Sequence, residues 1–168
     1  MNARLALLAS LVLLFAAAAG SAGLAQAVPS PPSSGAPAAV PYVMTMGDMM
    51  NTLVQPRHAK LGLAGKARNW PLAEYALVEI RQAFTGIVKA QPHFDGLPVG
   101  QLVDAAVQQP INAVEAAIHE QDPAKFAAAY AQLTAGCNAC HAAVDHPFVV
   151  IKAPDVSAFP NQDFSPHQ

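Results

Sequence analysis

Cys137-Asn138-Ala139-Cys140-His141, near the C-terminal end of a chain of 168 residues, is the stretch from which the fold is read. On a helix, positions three and four apart share a face, so Cys137, Cys140 and His141 point to the same side. Two thiols followed at once by an imidazole form the pattern of covalent c-type haem attachment. The thiols make thioethers with the haem vinyl groups, and the imidazole becomes the proximal iron ligand. A zinc site needs four ligands, commonly in paired spacings, and the chain has only two cysteines and no second pair. A thioredoxin-type dithiol sits at a helix N-terminus within a βαβ pattern, which is missing here. A disulfide between neighbours on one helical turn would be strained and would close too short a loop to stabilise much. One covalent haem c on Cys137 and Cys140, with His141 under the iron, is therefore the expectation.

Upstream of the motif, Phe126, Tyr130, Leu133, Cys137, Cys140 and His141 follow at intervals of four, three, four, three and one. That is one face of a single helix, with Asp122 as N-cap and Pro123 in its first turn. A preceding helix is expected from Val99 to Glu120, with Leu102, Val103, Ala106, Ile111, Val114 and Ile118 inward. Pro110 is expected to kink or split it. The helix before that opens at Asn69-Trp70-Pro71, carries Leu77, Ile80, Phe84 and Ile87 inward, and stops before Pro92. His93, Asp95, Gly96 and Pro98 read as a connecting loop, with no strand pairing expected. The first helix spans Tyr42 to Gly65, with Met46, Met50, Leu53, Val54, Arg57 and Leu61 in one stripe and Gly62 and Gly65 at its end. Four amphipathic helices with short connections argue for an all-α fold, an antiparallel four-helix bundle. In that topology the end of helix four lies beside the start of helix one. Past Asp145 the helical period is lost. Phe148-Val149-Val150-Ile151, Pro154, Phe159-Pro160 and Phe164 form an extended tail, residues 146–168, suited to covering part of the haem edge.

The first helix supplies the candidates for the iron's other face. Met44, Met46, Met49 and Met50 cluster at its start, and Met can serve as a second axial ligand. Met50 lies nearest the centre of the apolar stripe and is the leading candidate. His58, at the stripe's edge, is the alternative, followed by Met46 or Met49, or an open site. A boundary histidine with a local hydrogen bond is the commoner reading of His58. Arg57 is either a snorkelling side chain or a partner for a haem propionate.

Residues 1–27 read as a secretory signal peptide: Arg4, an apolar run from Leu5 to Ala19, and Ala25-Gln26-Ala27 before Val28. The apolar run is short of the roughly 20 residues that span a bilayer, so cleavage after Ala27 and release from the membrane are expected. A Pro/Ser/Ala-rich leader, 28–41, has little to bury and is expected to be flexible. The helical domain then occupies 42–145. After cleavage, eight Lys/Arg stand against eleven Asp/Glu, with no basic run and no aromatic platform, so nucleic acid is not an expected partner.

The signal segment, the helical order and CxxCH at the end of the last helix resemble the class II c-type cytochromes, the cytochrome c prime family. The likeness covers roughly residues 42–145 and rests on Cys137, Cys140 and His141. It implies a haem c held in a four-helix bundle. Some members are high-spin and bind nitric oxide or carbon monoxide. Others are low-spin electron carriers with a Met from helix one as sixth ligand, and the Met-rich first helix favours that group. Pro110 and the long tail depart from the family pattern. The resulting expectation is a periplasmic single-electron carrier that serves redox partner proteins, with a gas-binding cytochrome as the alternative. A homodimer is a further expectation from similar bundles. An enzyme is not expected, because a peroxidase-like reaction would have only His58 and Arg57 to supply distal polar groups.

Overall fold

The computed structural model describes residues 41–167; the expected signal peptide and nearly all of the expected leader lie outside the described residues. The described chain is all-helical apart from one small hairpin and the C-terminal tail. Four helices follow in order. Helix α1 is continuous through Met46–Met49, a π-helical turn Met50–Val54, and Gln55–Lys66. Helix α2 is Trp70–Ala90. Helix α3 is continuous through Val99–Val103, a second π-helical turn Asp104–Gln108, and Gln109–His119. Helix α4 is Pro123–Ala143.

Helix α1 begins at Met46, several residues after the expected Tyr42. Thr45 and Asp48 close a capping box: Asp48 N–H donates to Thr45 Oγ1 at 3.2 Å and Thr45 N–H to Asp48 Oδ2 at 2.9 Å. The box satisfies two orphan groups of the first turn and fixes the start.

Both π turns have one cause. Pro56 and Pro110 each stand two residues past the wide turn, lack an N–H, and crowd the carbonyl four residues back. The ladder there widens to i→i+5, as in Gln55 N–H to Met50 O. Pro110 was expected to kink or split its helix; instead, the π turn accommodates it and α3 runs on.

Helix α1 ends at Lys66, one residue past the expected Gly65, but Gly62 and Gly65 are helical and do not form its stop. A Cβ on Gly65 would meet Phe126 Cε1 at 2.0 Å, and one on Gly62 would meet Tyr130 Oη at 2.5 Å. These glycines exist because the α4 aromatics press onto the α1 backbone. The actual stops are left-handed residues that are not glycine: Arg68 (φ 58°), Gln121 (φ 53°) and Asp145 (φ 59°). At each, two backbone bonds close the last turn, for example Gln121 N–H to Ile118 O at 3.0 Å and Asp122 N–H to Ala117 O at 3.1 Å.

The loop after α2 is in fact a hairpin. β1, His93–Phe94, pairs antiparallel with β2, Leu97–Pro98. Asp95 and Gly96 both take positive φ at its turn, which is the signature of a tight two-residue connection. Asp-Gly was visible in the sequence, but strands this short carry no periodicity.

Helix α1 packs on α2, α2 on α3, α3 on α4, and α4 back on α1. The core between them includes Leu61, Leu77, Ile80, Ile87, Val114 and Leu133, all essentially sealed from solvent. Each such side chain contributes about 1.5–3 kcal/mol by leaving water. The tail after α4 is not helical. Pro154 lies against Gly62, Lys60 caps the ring of Phe159 at 4.8 Å, and Phe164 packs on the core. Asn69 ties the tail's far end by donating to Ser165 O at 2.8 Å, while its Oδ1 caps α2 at Leu72 N–H. Among the described residues, no helix is long and apolar enough to cross a membrane.

Candidate functional site

Helix α4 carries its buried face, Phe126, Tyr130 and Leu133, toward Gly136, Cys137, Cys140 and His141. Gly136 lets it approach closely: a Cβ there would stand 2.2 Å from the carbonyl oxygen of Ala106, in the α3 π turn. Beyond this contact the helices part around a largely apolar cavity of about 200 Å³, open at one side. Cys137, Cys140 and His141 line one wall. Met46, Met50, Val54 and His58 come from α1; Leu102, Val103 and Val107 from α3; Val149 and Ile151 from the tail. Both π turns border this space, through Met50 and Val54 on one side and Ala106 and Val107 on the other.

The thiols are not of the reactive-dithiol kind. Burial, then the neighbouring Cys140, pushes the Cys137 thiol up to about 11, and burial also raises Cys140. Low-pKa redox cysteines sit at helix N-termini or beside cations; these sit near a helix C-terminus in apolar surroundings. Both are unbridged.

His141 is oriented by the tail. Its Nδ1 is 2.8 Å from the carbonyl oxygen of Val149. A carbonyl only accepts, so Nδ1 carries the proton, the tautomer whose Nε2 lone pair is available to a metal. Metal-ligating histidines are commonly held this way by a carbonyl on the other ring nitrogen. Asn138 grips the same strand in both directions: its Nδ2 donates to Ile151 O at 2.9 Å, and Ile151 N–H donates to its Oδ1 at 2.7 Å.

The α1 candidates separate. Met46 and Met50 face the cavity, whereas Met49 is buried in the core. His58 also lines it, but is deeply buried and not a boundary residue with a local bond. Its Nδ1 is 3.0 Å from Tyr130 Oη and its Nε2 is 3.0 Å from Thr134 Oγ1, both on α4. The rings of His58 and Tyr130 stack at 4.7 Å. Burial lowers the His58 pKa to about 4, so the ring is neutral, with one donor and one acceptor, both engaged. Ligating a metal would cost it one of those bonds. Burial raises the Tyr130 hydroxyl, with the nearby Cys137 adding to it.

Arg57 makes contacts of its own with the protein. It is absent from the cavity lining, reaches Glu79 Oε2 with Nε and Nη2 at 3.2 Å, and gives Nη1 to Leu53 O at 2.8 Å. Its guanidinium is engaged at the α1–α2 contact.

Two thiols, an imidazole with a free Nε2 and a thioether sulfur around one apolar space form a donor set suited to a covalently held haem. Gly136, Thr134, Asn138 and the Val149 carbonyl complete the site. Periodicity could not single them out, because their roles lie in close approach and hydrogen bonding. Compared with known proteins, the chain matches no family model, no curated protein and no solved structure.

Proposed function

We infer that the protein is an exported c-type cytochrome that passes single electrons between redox partner proteins through one covalently attached haem c. The observation that carries this reading is the meeting of Cys137, Cys140 and His141 with Met50 and Met46 around one apolar cavity. Four helices, each packed on its chain neighbour with α4 returning to α1, support an antiparallel four-helix bundle as the scaffold. A bound haem c supplies a one-electron iron couple whose potential follows axial ligation, burial and hydrogen bonding. Cys137 and Cys140 would hold it by thioethers. His141 would bind through Nε2, kept free by the Val149 carbonyl. Met50 would close the opposite face, with Met46 next to it. The Leu and Val side chains of α3 would give the haem an apolar wall on that side. A periplasmic location follows from the signal-like N-terminus.

Expression alongside the cytochrome c maturation machinery tests the reading. The purified chain is expected to carry one haem that survives denaturation. Its ferric spectrum should show the long-wavelength band of Met-to-iron ligation and no response to carbon monoxide. A high-spin spectrum that shifts at once with carbon monoxide would replace the carrier by a gas-binding cytochrome. Absence of covalent haem would reject both.

A further inference from the structure

We propose that Asn138 is a positioning residue for His141, acting through the C-terminal tail; this rests on the haem reading above. Asn138, the first of the two residues between the thiols, faces the tail and not solvent alone. Its carboxamide exchanges a pair of hydrogen bonds with Ile151, at 2.9 and 2.7 Å, as one strand does with another. This fixes the chain two residues from the Val149 carbonyl, the acceptor for His141 Nδ1–H. The other end of the short connection is anchored on the same histidine: His146 N–H donates to His141 O at 2.8 Å, and Val149 N–H to His146 O at 3.0 Å. Residues 146–151 thus form a closed loop around His141, with Asn138 as its side-chain latch.

The loop does two things for the imidazole. It selects the tautomer that leaves Nε2 unprotonated, and it fixes the ring plane. A carbonyl on Nδ1–H also makes the imidazole a stronger donor, which stabilises the ferric state and lowers the potential. Without the Asn138 latch, nothing else within the loop restrains Ile151 by side-chain hydrogen bonds. Val149 is then free to drift and the Nδ1–H to meet water.

The test compares the wild-type holoprotein with Asn138→Ala and Asn138→Asp. Alanine favours the helix, so the first variant should fold. Asp keeps an acceptor for Ile151 N–H but loses the donor to Ile151 O. In Asn138→Ala the reduction potential should rise. The Ile151 amide should exchange about tenfold faster or more, and the ring N–H of the haem-bound histidine should exchange faster in NMR spectra. Asn138→Asp should fall between Ala and wild type in Ile151 exchange. The potential and the ring N–H report on the imidazole itself, which a merely structural role for Asn138 would leave unmoved. A potential and ring N–H exchange equal to wild type in Asn138→Ala, with haem covalently bound, would overturn this inference alone. A wild-type chain that carries no covalent haem would overturn it together with the haem reading.

Discussion

Gly136→Ala probes the contact that sets the cavity's shape. The new Cβ would lie 2.2 Å from the Ala106 carbonyl oxygen and 3.1 Å from its carbonyl carbon, both backbone atoms. Ordinary contact requires roughly 1 Å more, and in a close-packed interior backbone cannot yield that locally. Helix α4 must therefore back away from the α3 π turn, at an overpacking cost of about 1–3 kcal/mol. Replacing a helical glycine returns up to ~1 kcal/mol of backbone entropy. The net expectation is a loss of about 1–2 kcal/mol, which for a domain of this size lowers Tm by roughly 3–10 °C. Gly86→Ala is the matched control: Gly86 sits in α2 with nothing within 4 Å of its would-be Cβ. That variant should gain about 0.5–1 kcal/mol. Urea unfolding followed by far-ultraviolet circular dichroism measures both. Equal stabilisation in the two variants would refute the close approach of α4 to the π turn, and with it the account of why Gly precedes Cys137.

Met50→Ala should convert a low-spin holoprotein into one that binds carbon monoxide, while Met49→Ala should leave the spectrum as it is and cost core stability; an unchanged Met50→Ala spectrum rejects Met50 as ligand. His58 has a pKa of about 4 when folded against 6.5 for the free group, so between those values the unfolded chain binds more protons. Stability is therefore full above about pH 6.5 and declines as pH falls toward 4, by on the order of 3 kcal/mol. His58→Phe, which leaves Tyr130 Oη its bond to the His58 carbonyl and Thr134 its bond to Tyr130 O, should flatten that slope in denaturant titrations across pH. Gln121→Gly relieves a left-handed φ of 53° and should raise stability by about 1 kcal/mol in thermal melts; a loss would show that Gln121 makes contacts worth more than the strain.

Much of this protein follows from sequence alone. The 3.6-residue spacing of Leu77, Ile80, Phe84 and Ile87, the caps at Asn69 and Asp122, and the prolines after them specify helices locally, and the bounds of α2 and α4 follow closely. The convergence of Cys137, Cys140 and His141 on one face is likewise a property of one helix. Contacts between distant segments decided what was not legible. Gly62 and Gly65 read as a helix end, yet they accommodate Tyr130 and Phe126 from a helix far along the chain. Pro110 reads as a kink, but π-helical hydrogen bonding accommodates it, as it does Pro56. Arg57 shares the stripe of Met50 by helical arithmetic, but Glu79 on α2 holds it away from the cavity. His58 looks like a boundary residue until Tyr130 and Thr134 close over both its nitrogens. Above all, which groups meet His141 depends on where the tail lies. A segment without periodicity has no local preference that could announce Asn138 holding Ile151 or Val149 holding the imidazole. Local chemistry determined the helices and the donor residues of the motif; long-range packing and hydrogen bonding decided what surrounds them.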